Sequence, residues 1–454
     1  MSHSSPTDAP VSDRPIVCKF GGTSLAGADQ MRKVAAIVAA DPRRRVVVPS
    51  APGKRTPNDR KITDLLYHCH DTAQQGLSFD EAFGVIAKRF RGLVAELNLS
   101  LDLEPLLTQA RDGIAAAAKA GQGPDFAASR GEALNGRVIA ALLGCPCIDA
   151  ADVIRFTGNG GFDAPATHAA LTAALDGVDR AVVPGFYGSD PSGQIRTFSR
   201  GGSDVTGAVV ARAVNASVYE NWTDVSGLLT TDPRIVDNPA VIDSLTYREL
   251  RELSYSGATV LHAEAVFPVR AAGIPVNIRN TNAPEHPGTR IVASKDAAPT
   301  KHPITGIAGR KDFTVISLEK DLMNEAVGYV QRVLSVFSRA GISVEHVPSG
   351  IDTLSVVVAD AQLDGKLDAL VDDLKREIQP DHLEIDPDLA LIATVGRSMR
   401  SQPGMAATLF NALAQAGVSI RMIDQGSGEL NIIVGVNAKH YETAVQAIYA
   451  AFMG

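Results

Sequence analysis

Ile16-Val17-Cys18-Lys19-Phe20-Gly21-Gly22-Thr23-Ser24 is a short β-branched and aromatic run that ends on two glycines. A stretch of helical period, roughly Asp29–Ala40, follows it. A strand, a glycine turn and a helix in that order are the start of a βαβ unit. The alternation recurs along the chain. Val46-Val47-Val48-Pro49-Ser50, Ala181–Phe186, Val218–Asn221 and Pro275–Ile278 read as strands. The region from 79 to 120 is Ala-rich and helical, and Asp125 to Leu143 carries Ser129-Arg130-Gly131-Glu132 ahead of another helix. Strands alternating with helices predict an α/β fold with a mostly parallel sheet covered on both faces.

The bulk numbers fit a chain of this class. At 454 residues it is long enough for two to four domains, and 45% hydrophobic with 21% charged residues is ordinary for a globular protein. Against 43 Lys and Arg stand 51 Asp and Glu, a net charge of −8. No nucleic-acid partner is expected from that balance, because a phosphate backbone demands a basic face. No apolar run approaches about 18 residues, so no membrane span is expected either. Residues 1–14 are polar and rich in Ser and Pro, and read as a disordered tail rather than a signal peptide. The four cysteines, Cys18, Cys69, Cys145 and Cys147, form no CxxC pair. They suggest neither zinc nor a redox motif, and Cys145-Pro146-Cys147 reads as part of a short apolar strand in a reducing, cytoplasmic setting.

The chain changes character near 283–304, where Pro, Gly and polar residues mark a linker. Two similar units follow. Ala340-Gly341-Ile342-Ser343-Val344 is matched by Ala416-Gly417-Val418-Ser419-Ile420, and at the same offset Gly350 pairs with Gly426, Leu354 with Leu430 and Val356 with Ile432. A helix precedes each segment and a strand follows it. That is a duplicated βαββαβ unit, whose neighbours can share a core that neither completes alone.

Three clusters could carry chemistry. Lys19-Phe20-Gly21-Gly22-Thr23-Ser24 offers glycines that let a ligand approach the backbone, N–H groups near a helix start, and a fixed positive charge. Alone, such a turn is more often structural. Thr197 to Thr206, with Arg200-Gly201-Gly202-Ser203-Asp204 at its centre, joins a strand to an Ala/Val-rich helix. Arg200 is suited to clamp a carboxylate, while Ser203 is placed to cap the helix or touch substrate. Trp222-Thr223-Asp224-Val225-Ser226-Gly227, then Thr231-Asp232-Pro233-Arg234, follows a strand, where open α/β sheets place their ligands; a turn-rich loop reads the same way.

Taken together, Lys19–Ser24, Ser129–Glu132, Phe198–Asp204 and Trp222–Arg234 occur in the order seen in aspartate kinases, and the duplicated tail resembles that family's tandem ACT domains. The resemblance covers about residues 15–454. It implies an amino-acid-kinase-like α/β/α sandwich over 15–298, then ACT-like units over 304–382 and 388–454, the second completed by a strand near 305–308. It implies that the chain phosphorylates the β-carboxylate of L-aspartate with ATP and Mg, with Lys19 and Asp204 as catalytic residues. Ser50, Thr63, Glu132, Arg200 and Ser203 match substrate-binding positions. Lys19, Gly21, Gly22, Thr23, Ser24, Thr223, Asp224, Leu229 and Arg234 match the nucleotide site. Two positions depart from the pattern: Leu229 stands where the family often has Tyr, and Thr259 where it often has Lys.

The resemblance also implies a feedback effector, lysine or threonine, held by the ACT units at Met323, Gly328, Tyr329, Val330, Ser343, Val344 and Glu345. It implies a homodimer joined through them. No protein side-chain set for a metal is expected. The ordinary pKa of an aspartate side chain, ~3.9, leaves the acceptor ionised at neutral pH, so the reaction needs no general base, and His262 reads as structural.

Overall fold

The computed structural model describes residues 13–199, 201–258, 261, 263–299, 301–399, 402–426, 428 and 430–454. They form two compact units. The first runs to Leu228 and takes in Asp243–Tyr247 and Leu261–Ala297; the second comprises Leu229–Ile242, Arg248–Val260 and Ala298–Gly454.

The first unit holds strands β1 (Ile16–Phe20), β2 (Arg44–Pro49), β3 (Ala181–Val182), β4 (Tyr187–Ser189), β5 (Ile195–Thr197), β6 (Val218–Thr223), β7 (Ser244–Thr246), β8 (Val276–Asn280) and β9 (Thr289–Val292). Seven of them make one sheet in the order β3-β2-β1-β6-β8-β9-β7. Neighbours run parallel except β8 and β9. β4 and β5 form a separate antiparallel hairpin. The fold class is thus the mostly parallel α/β sheet expected from the alternating pattern. Sheet and helices share a core in which Cys18, Phe20 and Trp222 pack with Met31, Val34 and Phe90. The opposite face of β1 and β6 is covered by the helix Gly202–Ala213. Burial on both faces explains why β1 and β2 read as continuous apolar runs rather than alternating ones.

The second unit is built on an antiparallel sheet, β11 (Thr353–Ala359), β10 (Gly306–Glu319), β12 (His382–Val395), β14 (Asn431–Asn437) and β13 (Ile420–Asp424), in that spatial order. β10 and β12 are long and serve both repeats. Residues 313–319 of β10 pair with β11, while 306–310 pair with the far end of β12, Leu391–Val395. Ile316 and Leu318 enter a core with Val333 and Phe337 of the helix Tyr329–Arg339. Ile307 enters another with Leu409 of Met405–Gln415 and Ile448 of Tyr441–Met453. The crossover falls where the register shifts between Arg310 and Phe313, with Asp312 at φ 70°.

Three local expectations differ from the structure. Ser129-Arg130-Gly131-Glu132 does not precede a helix but lies inside one, Asp125–Leu143. Cys147 forms an isolated bridge to Val182 rather than a strand. Ser203 does not cap the helix Gly202–Ala213; Gly201 occupies that position at φ 57°, with no side-chain cap bond. The four cysteines are free thiols, and burial raises those of Cys69 and Cys147 to about 11 and about 12. No helix among the described residues is long and apolar enough to cross a membrane.

Candidate active site

β1 and β6 lie side by side with Lys19 opposite Asn221 and Cys18 opposite Glu220. Because side chains alternate along a strand, registered partners share a face. Lys19 and Asn221 therefore project toward the helix Gly202–Ala213, which carries Asp204 in its first turn. The three side chains meet. Lys19 Nζ lies 2.6 Å from Asp204 Oδ1. The same ammonium donates to Asn221 Oδ1 at 3.3 Å, and Asn221 Nδ2 donates to Asp204 Oδ1 at 2.8 Å. Tyr219, also on this face, donates its hydroxyl to the Asp204 carbonyl at 3.1 Å. The Lys19 and Asp204 side chains are 11% and 17% exposed. An ammonium has three N–H groups. Among the described residues Asp204 and Asn221 take two, which leaves one for an anionic ligand.

Two loops meet just beyond the ends of β1 and β2. Gly21 N donates to the Trp222 carbonyl at 2.9 Å, and Gly53 N to the Gly22 carbonyl at 2.8 Å. The backbones touch so closely that a Cβ on Gly53 would lie 2.5 Å from Gly22 O. Arg89 braces the same place, donating to the Gly53 carbonyl at 2.9 Å and to Asp59 at 2.8 Å. Of the expected phosphate loop, Thr23 is exposed and Gly21 and Gly22 are half-buried. Ser24 is buried and accepts from the Thr281 hydroxyl at 2.8 Å. The turn enters a short 3-10 turn, Thr23–Leu25, before the helix Ala28–Ala39 begins, so the glycines do not sit directly on a helix end.

Glu132 is buried, and its Oε2 has no hydrogen-bond partner among the described residues. Burial pushes its carboxyl up to about 7, against the pull of the Ala51 backbone N–H. Gly131 presses on Ala51, which sets Glu132 against that loop. Ser50 follows β2 and its carbonyl accepts from Asn135 at 2.6 Å. Thr63 is half-buried in the first turn of the helix Ile62–Gln74. Ser203 is buried, and the neighbouring Phe186 holds φ at 81°; a bulky residue there is strained by ~1–3 kcal/mol.

Thr223 ends β6 and donates to Asp224, which is exposed, at 3.1 Å. Leu229 and Arg234 belong to the second unit. Leu229 bridges to Val241, and the exposed Arg234 guanidinium is held by Asp232 at 2.6 Å. Arg200, Thr259 and His262 lie outside the described residues. In the second unit Met323 and Tyr329 are buried, Gly328 starts the helix Tyr329–Arg339 at φ 78°, and Val330 and Ser343 are exposed. Val344 is half-buried. The Glu345 carboxylate accepts from the Tyr255 hydroxyl at 2.6 Å and lies 3.7 Å from Arg310.

Sequence reasoning missed Asn221, Arg89 and the buried carboxylate of Glu220. The pairing of β1 with β6 was the signal that would have found Asn221, since register alone puts it beside Lys19.

The amino acid kinase family model matches residues 14–280, and an ACT domain model matches 392–452. Over 450 residues the chain is 36% identical to aspartokinase 3 of Bacillus subtilis (strain 168), covering 96% of this chain and 98% of that one. The crystal structure of Clostridium acetobutylicum aspartate kinase superposes with a TM-score of 0.92 at 49% identity, over 96% of this chain and all (100%) of that one. Escherichia coli aspartokinase III, solved with aspartate and ADP, gives 0.72 at 27% identity, over 96% of this chain and 99% of that one. In its complex with lysine and aspartate the same enzyme gives 0.71 at 27% identity, over 97% and 100%. A family model spanning more than half the chain and relatives aligned end to end place this chain in the amino acid kinase family, among the aspartokinases with C-terminal ACT units.

Proposed function

We propose that the chain transfers the γ-phosphoryl group of ATP to the β-carboxylate of L-aspartate, giving 4-phospho-L-aspartate, the first step toward lysine, threonine and methionine. The observation that carries the reading is the Lys19–Asp204–Asn221 triangle beside the Gly21-Gly22 turn. A carboxylate oxygen forms a bond to the γ-phosphorus while the bond to the β–γ bridging oxygen breaks and ADP leaves. The acceptor is already ionised, so no proton moves. The obstacle is repulsion between two anions, and phosphoryl transfer is mainly positioning plus charge stabilisation. Lys19 supplies that charge, and Asp204 holds its ammonium in place. Magnesium on the nucleotide phosphates would neutralise charge there. Glu132, buried and with an unpartnered oxygen, holds the substrate ammonium, with Ser50, Thr63, Arg200 and Ser203 around the substrate. Gly21, Gly22, Thr23, Thr223 and Asp224 serve the nucleotide.

The ACT units bind an amino-acid effector and join two copies of this cytoplasmic chain. E. coli aspartokinase III with lysine supports lysine as the first effector to test. Turnover of ATP with L-aspartate, trapping the acyl phosphate as a hydroxamate, tests the reaction. Aspartate-dependent hydroxamate, suppressed by lysine or threonine, is the expected result; a folded, ATP-binding chain that forms none rules the reading out. Glu345→Gln is expected to weaken inhibition, and an unchanged inhibition curve removes Glu345 from the effector site.

A further inference from the structure

We propose that Asn221 is a positioning residue for phosphoryl transfer: its side-chain amide bridges Lys19 and Asp204 and fixes the ammonium where the transferring group arrives. The inference rests on the reading of Lys19 as the catalytic cation. A position in the middle of a parallel sheet covered on both faces is ordinarily apolar. Asn221 is 4% exposed, and its neighbour across on β8 is the apolar Ile278. A buried amide is costly unless it is hydrogen-bonded, and here both ends meet a charge. Chemistry fixes its orientation: the ammonium has only hydrogens to give, so the oxygen faces Lys19, and the carboxylate only accepts, so the nitrogen faces Asp204.

The triangle draws on three elements: Lys19 from β1, Asn221 from β6 and Asp204 from the helix Gly202–Ala213. Lys19 is a point charge on a flexible stem. One carboxylate oxygen leaves that stem free to swing about the contact; a second anchor, itself tied to the same oxygen at 2.8 Å, removes that freedom. Asn221 touches neither substrate in this scheme and acts through Lys19.

The test uses the full chain in the hydroxamate assay, with thermal unfolding run in parallel on each variant. Asn221→Leu matches the volume but neither donates nor accepts. Its kcat is expected to fall about 10- to 100-fold, as for a misplaced catalytic group, with KM for ATP and aspartate within about threefold. Asn221→Asp separates positioning from packing. A protonated carboxyl donates and accepts as the amide does, whereas an ionised one repels Asp204. The charged groups facing position 221 are Lys19 on β1 and Asp204 on the helix. Activity of Asn221→Asp relative to the native chain is therefore expected to rise as pH falls, a dependence that a purely structural role would not produce. Lys19→Met serves as the reference.

If Lys19→Met abolishes turnover while Asn221→Leu stays within twofold of native, Asn221 is idle and the inference fails alone. Should Lys19→Met itself keep native turnover, the reading of Lys19 fails and this inference with it. If Asn221→Leu does not fold, Asn221→Asp decides: a relative activity that is flat with pH overturns the proposal.

Discussion

β1 and β6 carry a buried charge network on each face, and the two are built differently. On the face turned to the core, Glu220 is enclosed. Arg44 grips it with two nitrogens at 2.9 and 3.1 Å, Trp222 Nε1 donates at 2.9 Å, and Arg279 reaches it at 3.3 Å. Both guanidiniums also lie over the Trp222 ring, at 5.3 and 4.6 Å. Burial drives the Glu220 carboxyl upward, but Arg44, Trp222 and Cys18 outweigh it and the net shift is down. On the other face the Lys19 and Asp204 side chains are 11% and 17% exposed, and among the described residues the ammonium keeps an N–H unspent. Both networks are charged and close to buried, so burial of charge does not distinguish a site from a brace. Position does: the Lys19 ammonium lies beside the Gly21 turn, whereas the spare donor of the other network, Arg279 Nε, is buried.

The largest effect that can break this comparison is Glu220→Ala. It strands Arg44 and Arg279 without their counter-charge, and removing one partner of a buried pair costs ~3–5 kcal/mol. Trp222 is the chain's one tryptophan and lies in this network, so its emission reports unfolding of the first unit directly. An unshifted denaturation midpoint would mean that the network is no brace. Lys19→Ala should do the reverse. Turnover is expected to fall about 10²–10³-fold, as when a single preorganised donor is lost, while the Trp222 midpoint falls by less than in Glu220→Ala, because Asn221 still donates to Asp204. A large stability loss in Lys19→Ala would merge the two faces into one structural network.

A smaller effect sharpens the site side. Gly53→Ala puts a methyl 2.5 Å from the Gly22 carbonyl, and overpacking of this kind costs ~1–3 kcal/mol. The Gly21-Gly22 turn must then shift, and KM for ATP should rise while the Trp222 midpoint falls by less than in Glu220→Ala. An unaltered KM would detach that turn from the nucleotide.

How much of this was legible in the sequence follows from how local each feature is. Lys19 and its glycine turn are local, and the alternation of strands and helices announces the parallel sheet. The duplicated Ala340–Val344 and Ala416–Ile420 segments announce the second unit. What hid were contacts made across long separations. Lys19 and Asn221 are 202 positions apart, and a single strand's composition does not state its partner or its register. Asn221 therefore looked like one letter of a strand. Of the two readings of Ser203, helix cap or substrate contact, the cap does not hold, because the chain uses Gly201 in the left-handed region instead. In sequence Ser129–Glu132 reads as lying ahead of a helix rather than inside one; burial of Ser129, Gly131 and Glu132 against the rest of the unit keeps them helical.

Glu132 offers the finest distinction, because its carboxyl titrates where the enzyme would work. Its pKa is raised by burial from 4.5 to about 7. Within that window the unfolded chain is ionised and the folded chain still holds its proton, so stability falls as pH rises from about 4.5 to about 7, by a total of about 3 kcal/mol. Glu132→Gln should flatten that slope. The same titration governs substrate. The ionised carboxylate attracts an ammonium and the neutral acid does not, so KM for aspartate should fall as pH rises through about 7, by about tenfold between pH ~6 and ~8. KM profiles of the native chain and Glu132→Gln measure it, the latter flat and high. If Glu132→Gln loses the stability slope but keeps the native KM profile, Glu132 joins Glu220 as a buried carboxylate that serves the fold alone. The division between brace and site would then run through Lys19 and exclude Glu132.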